Sequence, residues 1–364
     1  MSPKRKRILI VGSHPNSGYS MINFTQANFD LLNSMQQNRA IFFMKPKSIF
    51  SSALPTKYFV YLDKYLIFGP RIFLTTIILR IDLVHVLDHS DSVYRFFVPK
   101  WKAFWVTVHD LFAIMAALDQ IPQVKIGLSG KIYQKVILNG LRNANLAICI
   151  SQTTQKALSD LLPSLGSVVL HNFVLETKRD PQMEFRYFSK EYFLIIMNSH
   201  WRKNRLASIE VWNELTCYKQ FADSHLIIVG NELDDSEIEV IGQLNLPKIL
   251  VLEKLDSIQI HELYRGCIAV INISKYEGFG MPVIEANLNK KICIFGGSPA
   301  FNEIAPSDNI DWFAVDSSIR EGTVAILSSE SAQHRVHESV LEKFSGNKYR
   351  SELIDLYETK FYEF

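Results

Sequence analysis

The chain of 364 residues is too long for one ordinary hydrophobic core and is typical of two domains of common size. With 48% hydrophobic and 21% charged residues, its composition is ordinary for a soluble globular protein. The longest uncharged run between Tyr58 and Leu87, IFLTTIIL, is far short of the roughly 20 residues that a spanning helix needs, so this segment is not expected to cross a membrane.

The formal net charge of +2 conceals a difference between the two halves. Residues 1–180 hold 21 Lys/Arg and 10 Asp/Glu, a net charge of +11, whereas residues 181–364 hold 18 and 27, a net charge of −9. Such asymmetry indicates that the first half meets an anionic partner. Nucleic acid, an anionic membrane surface and a phosphorylated lipid are the candidates.

The cysteines are far apart, lie in apolar runs, and have neither metal-ligand nor redox spacing: Cys149, Cys217, Cys267 and Cys293. They are therefore predicted to be reduced core thiols of a cytosolic protein. The N-terminus, MSPKRKRILIVG, is basic but has no apolar stretch long enough for a signal peptide.

Short apolar runs alternate with longer helical patterns along the whole chain. The runs of the first half are RILIVG (7–12), AIFFM (40–44), LVHVL (83–87), FWVTVH (104–109), LAICI (146–150) and SVVLH (167–171). Those of the second half are YFLIIM (192–197), HLIIVG (225–230), KILVLE (248–253), IAVINI (268–273), KICIFG (291–296) and DWFAV (311–315). Helix-length stretches such as 206–220 and 257–265 lie between them. This alternation predicts an α/β fold with two Rossmann-like domains, whose parallel sheets face a central cleft.

The polar, charged stretch 176–190 separates the two sets of strands and is predicted to be an interdomain linker. It divides a first domain over 1–175 from a second over 191–345. Residues 346–364 are predicted to form a C-terminal helix that packs back on the first domain.

A cluster of basic residues follows the strand YFLIIM, in the segment NSHWRKNRLASIEVWNEL (198–215). Arg202, Lys203 and Arg205 lie where the chain turns into a helix. Cationic side chains beside a helix N-terminus suit a diphosphate. A solvated basic turn is the alternative.

The segment SKYEGFGMPVIEANLNK (274–290) joins a glycine-rich loop to a predicted helix that begins at Met281-Pro282. Gly278 and Gly280 allow backbone N–H groups to approach a ligand closely. Glu277 lies in the loop and Glu285 about one turn inside the helix. Ionised carboxylates accept hydrogen bonds from hydroxyl groups, so the pair suits a polyhydroxylated ligand.

SKYEGFGMPVIEA, with its Glu-x7-Glu spacing, resembles the signature of the retaining GT-B glycosyltransferases of family 4, the glycosyl transferases group 1 type. YFLIIMNSHWRKN, HLIIVG, LEKLDSIQIHELYRGC and FGGSPAFNEIA are similar to neighbouring segments of that family, in the same order over about 192–316. In the first half, VTVHDL (106–111), CISQTTQKAL (149–158) and VVLHNFV (168–174) match more weakly. The N-terminal loop GSHPNSGYS departs from the pattern because it lacks a Gly-Gly pair.

The resemblance implies a first domain on the acceptor side and a second that binds a nucleotide sugar. Glu277 would hold hydroxyls of the donor sugar and Glu285 those of the ribose, while Arg202 and Lys203 would neutralise the leaving diphosphate. The donor would also be bound by Gly278, Phe279 and Gly280, by Gly12 of the N-terminal loop, and near the nucleobase by Leu255. His109 would reach the donor sugar from the first domain, whereas Asp110 is predicted to cap the following helix.

No His, Asp or Glu set has metal-ligand spacing, and Asp88, His89 and Asp91 in LDHSDS are more typical of a turn and a helix cap. We therefore expect neither a metal nor another cofactor. Nucleic acid is not expected as a partner, because no binding module accompanies the basic first half.

The resulting hypothesis is a retaining, hexosyltransferase-type enzyme of cell-surface polysaccharide or glycolipid biosynthesis. It would move a sugar from a nucleotide-diphosphate sugar to a saccharide or lipid-linked saccharide. The alternatives are a nucleotide-sugar epimerase of the same fold and a catalytically silent sugar-binding subunit.

The expected location is cytoplasmic, with peripheral attachment to the inner face of the cell membrane. Two aromatic and basic clusters favour this attachment. The first comprises Tyr58, Phe59, Tyr61, Tyr65 and Phe68 near Lys57, Lys64 and Arg71, and the second is YRFFVPKWKAFW (94–105).

Overall fold

The computed structural model describes residues 6–33, 40–50, 57–174, 190–244, 246, 248–314 and 320–360. The chain divides into two compact units. Unit 1 comprises Met1–Asn172 and Gly346–Phe364, and unit 2 comprises Phe173–Ser345. Apart from Lys190, the predicted linker 176–190 lies outside the described residues.

Unit 1 contains a parallel six-stranded sheet with the order β2-β1-β3-β4-β5-β6. Its strands are β1 (Arg7–Val11), β2 (Ala40–Met44), β3 (Leu83–Val86), β4 (Ala103–Val108), β5 (Leu146–Cys149) and β6 (Ser167–Val169). All four residues of β3 and of β5 are buried, as expected for strands that are covered on both faces.

Helices cover this sheet, and their numbering follows the chain through both units. Those of unit 1 are α1 (Tyr19–Asn33), α2 (Lys57–Tyr61), α3 (Gly69–Ile78), α4 (Phe112–Ala117), α5 (Leu128–Arg142), α6 (Gln152–Leu161) and α14 (Gly346–Thr359). A π-helical segment, Leu62–Phe68, joins α2 to α3, and a 3-10 segment, His89–Phe97, follows β3. Across the described parts of the chain, no helix combines the length and the apolar character needed to span a bilayer.

The C-terminal helix α14 packs within unit 1 through two tyrosines. Tyr349 donates a hydrogen bond to Asn28 Oδ1 over 2.8 Å. Tyr357 stacks on Trp105 of β4, and its hydroxyl lies 2.6 Å from Nδ1 of His85. These buried contacts join α14 to α1 and to strands β3 and β4 of the first sheet.

His85 makes the stability of unit 1 depend on pH. It is fully buried on β3 between Tyr357 and Thr107 Oγ1, and burial lowers its pKa to about 3. In the unfolded chain the imidazole binds a proton below pH about 6.5, whereas the folded state does not. The free energy of unfolding should therefore decrease as the pH falls from about 6.5 towards 3, by at most about 1.4 kcal/mol per pH unit from this group.

Urea unfolding at stepwise lower pH measures this effect. The neutral His85→Gln variant should lose less stability on acidification than the wild type. His334→Gln, at an exposed position, is the matched control and should follow the wild type. Parallel pH profiles for wild type and His85→Gln would show that His85 is not the cause.

Unit 2 contains a second parallel six-stranded sheet, with the order β12-β11-β10-β7-β8-β9. Its strands are β7 (Tyr192–Ile196), β8 (His225–Val229), β9 (Ile249–Leu252), β10 (Val270–Asn272), β11 (Cys293–Phe295) and β12 (Ile310–Asp311). Its helices are α7 (Arg205–Thr216), α8 (Asp235–Gln243), α9 (Ser257–Gly266), α10 (Met281–Leu288), α11 (Ala300–Ile304), α12 (Arg320–Leu327) and α13 (Glu330–Phe344), and a 3-10 turn covers Trp201–Lys203.

The order of strands in unit 2 reverses between β7 and β10. These strands are neighbours in the sheet, with Leu194 opposite Val270, although they are far apart in sequence. The chain leaves β7 towards β8 on one side and β10 towards β11 on the other. The loops that follow β7 and β10 therefore diverge, and a crevice at such a switch point is the usual ligand site of a doubly wound sheet.

The predicted α/β fold with two parallel sheets is confirmed, and eleven of the twelve predicted strands coincide with observed strands. The strand expected over 311–315 is wrong beyond its first residue. Asp311 Oδ1 accepts hydrogen bonds from the amides of Phe313 and Ala314, which turns the chain away from the sheet. Residue 315 lies outside the described part.

Two sequence-based assignments of side chains are also wrong. Cys149, Cys267 and Cys293 are buried free thiols as predicted, but Cys217 is exposed because it lies just beyond the end of α7. The first aromatic and basic cluster is not one continuous exposed surface, although Arg71 is exposed. Lys64 is buried and pairs with Asp91 over 2.6 Å, and Phe68 is also buried.

The other residues of the two aromatic and basic clusters differ in exposure: some are buried and some are exposed. Tyr65 is half-buried, with its hydroxyl 2.6 Å from that of Tyr133. In the second cluster, Tyr94 and Trp105 are core residues, whereas Trp101 is exposed. The side chains of Lys57 and Tyr58 lie outside the described part.

Candidate active site

An ion-pair cluster lies at the switch point of unit 2. The loop after β7 supplies Arg202 and Lys203, and the loop after β10 supplies Glu277. Lys203 Nζ lies 2.6 Å from Glu277 Oε1, and Arg202 Nη1 lies 3.4 Å from Glu277 Oε2. One carboxylate thus contacts both cations that the sequence assigned to a diphosphate. The Glu277 side chain is 7% exposed, whereas Arg202 and Lys203 retain 28% and 19% exposure.

Backbone hydrogen bonds hold the two loops together. The carbonyl of Arg202 accepts from the amides of Lys275 and Tyr276, over 2.8 and 3.3 Å. The amide of Glu277 donates to Oγ of Ser298, a buried residue in the loop after β11. The position of the Glu277 carboxylate is therefore fixed from three neighbouring strands of one sheet, as a site on a rigid scaffold requires.

The glycine before α10 is required by local geometry. Gly280 has φ +105°, a left-handed conformation that strains other residues, and a Cβ there would lie 2.8 Å from the Phe301 ring. Pro282 occupies the first turn of the helix, as predicted, where no amide hydrogen is needed. The turn brings the helix N-terminus close to the Glu277 loop.

Glu285 lies in the second turn of α10 and has a partner that the sequence did not indicate. Tyr264 of α9 donates a hydrogen bond to Glu285 Oε2 over 2.7 Å. Burial raises the pKa of Glu285, while the Tyr264 hydrogen bond and the charge of Lys203 oppose that rise. The electrostatic influence of Lys203 therefore extends from Glu277 to Glu285.

The remaining predicted donor-binding residues of unit 2 lie in loops around this cluster. Gly278 and Phe279 follow Glu277, and the Phe279 ring packs edge-on against Phe344 of α13 at 5.5 Å. The Phe279 side chain is thus a structural residue, so its contribution to binding would come from the backbone. Leu255 is half-buried in the loop between β9 and α9. The next residue, Asp256, is the N-cap of α9 and forms a capping box with Gln259.

Arg205 does not belong to the basic cluster at the switch point. Its guanidinium is buried and bonds Glu237 through Nε over 2.7 Å and also through Nη2. It further donates to the carbonyls of Asn231 and Glu232. Because all these partners are structural, the inclusion of Arg205 among the predicted diphosphate ligands is corrected.

In unit 1, His109 follows β4 and is oriented by the backbone just after β3. Its ring nitrogen Nε2 lies 2.9 Å from the carbonyl of Leu87, and Phe24 contacts the ring edge-on. Burial lowers the pKa of His109, against the opposing charge of Asp88. The imidazole is therefore neutral near pH 7, with Nε2 as the donor. The adjacent Asp110 accepts from the amide of Phe112, the first residue of α4. The N-cap position of α4 is Leu111, however, so Asp110 is not the predicted helix cap and lies one residue before it.

Asp88 caps the 3-10 segment after β3, as the sequence indicated. Its carboxylate accepts from the amide and the hydroxyl of Ser90. Burial opposes ionisation, but His89, His109 and these hydrogen bonds hold the pKa of Asp88 below its usual value. Within the described ranges, no group of three His, Cys, Asp or Glu side chains could hold a metal ion.

Gly12 has a packing role in the loop after β1. A Cβ at this position would collide with Cγ2 of Thr25 on α1. Thr25 also accepts from the amide of Ser13, so the helix and the loop are in close contact. Gly18, by contrast, has open space around its Cα.

Two residues of the site escaped sequence reasoning. Ser298 could have been found from its place in the Gly-Gly-Ser loop after β11, since loops at the carboxyl edge of a sheet meet. Tyr264 gave no sequence signal, because its contact with Glu285 depends on the packing of α9 beside α10.

Comparison with known proteins bears on the same part of the chain. Residues 178–339 match the family described as glycosyl transferases group 1. No curated protein is similar enough in sequence to match.

Solved structures resemble most or all of the chain at low sequence identity. Sucrose-phosphate synthase from Thermosynechococcus elongatus is 14% identical, over 99% of this chain and 100% of that one, with a TM-score of 0.73. A glycosyltransferase from Rickettsia africae ESF-5 is 17% identical, over 97% and 98% of the two chains, with a TM-score of 0.62. S. aureus TarM in complex with Fondaparinux, alpha-GlcNAc-glycerol and UDP is 14% identical, over 76% and 55%, with a TM-score of 0.55. At these identities the likeness concerns the fold alone.

The predicted GT-B fold is confirmed. The Lys203–Glu277 cluster and Glu285 lie within the segment that matches the glycosyl transferases group 1 family.

Proposed function

We propose that the chain is a retaining, hexosyltransferase-type enzyme that moves a sugar from a nucleoside-diphosphate sugar to a saccharide or lipid-linked saccharide. The observation that carries this proposal is the contact of Lys203 and Arg202 with Glu277 at the switch point of a group 1 domain. It combines two cations suited to a diphosphate with a carboxylate suited to sugar hydroxyls. The UDP and glycoside named in the TarM complex are ligands of the proposed kinds.

The two cations have a specific task in this reaction. As the bond between the anomeric carbon and the diphosphate breaks, negative charge develops on the departing oxygen. Lys203 and Arg202, fixed by their loops, would stabilise that charge without reorganisation. Since they supply positive charge at this point, we propose that transfer requires no divalent ion.

Glu277 would bind hydroxyls of the donor sugar, and Glu285 those of the ribose. An acceptor hydroxyl would then attack the anomeric carbon from the face that the diphosphate leaves. Its oxygen bonds to the carbon, the bond to the diphosphate breaks, and the proton passes to the departing phosphate oxygen. His109, in its neutral form, would contact the donor sugar from unit 1, as the family resemblance implies.

The charge of the first half of the chain bears on the acceptor and on where the enzyme acts. The +11 charge of residues 1–180 favours an anionic or lipid-linked acceptor, or an anionic membrane. We therefore propose that the enzyme attaches peripherally to the cytoplasmic face of a membrane and acts in polysaccharide or glycolipid biosynthesis.

Product analysis tests the reaction. We expect NMR of the glycoside to show the anomeric configuration of the donor, with the same rate in excess chelator. An inverted product would contradict the proposed stereochemistry, and activity lost in chelator and restored by Mg²⁺ would contradict the metal-independent step. Sugar isomerised or released equally well without any acceptor would favour an epimerase instead.

Tyr264 provides a test of the role of Glu285. Tyr264→Phe removes the hydrogen bond that lowers the pKa of Glu285, so that pKa should rise further. The Michaelis constant for the donor should increase by roughly fivefold to tenfold with little change in kcat, since one hydrogen bond contributes about 1 kcal/mol. In a plot of the donor Michaelis constant against pH, the change on the acid side should also move to higher pH.

Tyr192→Phe is the matched control, because the Tyr192 hydroxyl donates to the Leu263 carbonyl in the same unit. Its donor Michaelis constant should equal that of the wild type. If Tyr264→Phe and Tyr192→Phe behave alike at every pH, Tyr264 does not position Glu285 for the donor.

A further inference from the structure

An exposed apolar surface runs along one helical stretch of unit 1, from Leu62 through the π-helical segment and α3 to Arg80. Its large apolar side chains that face outward are Leu62, Leu66, Phe73, Leu74, Ile77 and Ile78. We refer to these six residues as the apolar helix face. Leu66 and Ile78 are 65% and 72% exposed, values far above those of core residues.

The same stretch directs charged groups inward. Asp63 is buried and accepts from the amides of Ile49 and Phe50, while Lys64 is buried against Asp91. Phe68 and Ile72 of the same stretch are buried as well, so its apolar side chains lie on both the inner and the outer face. A surface helix of a globular protein normally keeps its apolar side inward. The additional outer apolar face is costly in water and is typical of a surface that meets an apolar partner.

Basic and aromatic residues border the apolar helix face. Arg71 and Arg80 are exposed on the stretch itself. Ile77 and Arg80 line a surface depression together with Trp101 and Lys102. Trp101 is 78% exposed, and an indole ring is suited to the boundary between lipid headgroups and acyl chains.

Acidic groups at this border are few and engaged in local contacts. Asp82, which also lines the depression, accepts from the amide of Arg7 over 3.0 Å. The exposed Lys100 lies next to Trp101 in the chain. The border of the apolar helix face is therefore positively charged.

We propose that the apolar helix face docks unit 1 onto an anionic lipid surface. Apolar side chains would enter the interface, while Arg71, Arg80 and Lys102 contact lipid phosphates. A second copy of the chain fits less well, since like charges at the border would be brought together. The inference rests on the proposed peripheral location. Of the first aromatic and basic cluster it retains Arg71, but it assigns the contact with lipid to the apolar helix face and not to the residues around Lys64.

Vesicle co-sedimentation without donor or acceptor tests the docking separately from sugar transfer. The wild type should bind vesicles of phosphatidylcholine containing phosphatidylglycerol, with affinity that falls as salt increases, and should bind pure phosphatidylcholine weakly. Arg71→Gln/Arg80→Gln should bind about 30-fold more weakly, because each basic residue near an anionic surface strengthens binding roughly fivefold.

A Phe73→Ser/Ile77→Ser/Ile78→Ser variant should lose vesicle binding and retain its circular dichroism spectrum. Should it misfold, Ile78→Ser alone changes the most exposed position and should still weaken binding. The matched control is Ile238→Ser/Ile258→Ser, which changes two exposed isoleucines of unit 2 and should bind as the wild type does.

Equal binding by the wild type and the apolar variants, or no binding to anionic vesicles, would overturn the proposal. A wild-type dimer that the serine substitutions convert to monomer, with no vesicle binding, would instead identify an interface between copies. An enzyme that binds vesicles but transfers no sugar would leave the docking intact and overturn the proposed reaction.

Discussion

Replacement of Glu277 by Gln is expected to reduce sugar transfer by at least about 100-fold, the effect of removing one preorganised polar group from a reaction centre. The substitution removes the charge that holds Lys203 and Arg202, and it replaces one hydroxyl acceptor with an amide nitrogen. Steady-state kinetics with purified enzyme measures the loss.

The fold should survive this change. The amide of Glu277 keeps its hydrogen bond to Ser298, and glutamine has nearly the same shape. Asp308→Asn, which breaks an ion pair with Arg335 elsewhere in unit 2, is the control and should transfer sugar normally. Near-normal turnover of Glu277→Gln would refute the assignment of this carboxylate to the reaction.

Arg205→Met is expected to lower the free energy of unfolding by about 3–5 kcal/mol, as for other buried ion pairs that lose one partner. Arg205 and Glu237 are each 2% exposed, so the remaining carboxylate would be left buried without its cation. Urea denaturation of the purified variant gives the change directly.

A double-mutant cycle separates the pair from its surroundings. Arg205→Met/Glu237→Gln should be more stable than the sum of the single variants predicts, by about 1 kcal/mol or more. Arg335→Met, at an exposed ion pair, should unfold at nearly the wild-type urea concentration. Additive single effects would show that the pair does not act as a unit.

The strands could be predicted because a parallel strand covered on both faces appears as a continuous apolar run. β12 could not, since a single carboxylate, that of Asp311, turns the chain after two residues. The predicted helix over 206–220 likewise ends at Thr216, where the chain enters turns. Local hydrogen bonds of this kind decide where an element ends, and hydrophobic periodicity does not report them.

The residues of the candidate site were predictable in part. Glu277 and the basic residues after β7 stood out by their positions at strand ends. Arg202, Lys203 and Arg205 look equivalent in sequence, yet Arg205 begins α7 and points into the unit, towards Glu237. The mutual contact of Lys203 and Glu277 required the adjacency of β7 and β10, which lie far apart in the chain.

The burial of Lys64 could not be predicted from the composition of its segment. Aromatic and basic residues around it suggested an exposed cluster, but the carboxylate of Asp91 on another element draws the lysine into the core. The residues of the apolar helix face, on the same stretch, remain exposed. Only the tertiary contact distinguishes the two arrangements.

A thermal-shift panel of nucleoside-diphosphate sugars shows whether nucleotide sugars bind at the Lys203–Glu277 cluster. A ligand of the folded state raises stability by RT ln(1 + [L]/Kd), so a true donor should raise the melting temperature as its concentration increases. Lys203→Ala should lose most of that shift, while Lys248→Ala, at an exposed ion pair with Asp223, should keep it. No shift with any nucleotide sugar, or an equal shift in the Lys203→Ala variant, would contradict the assignment of this site.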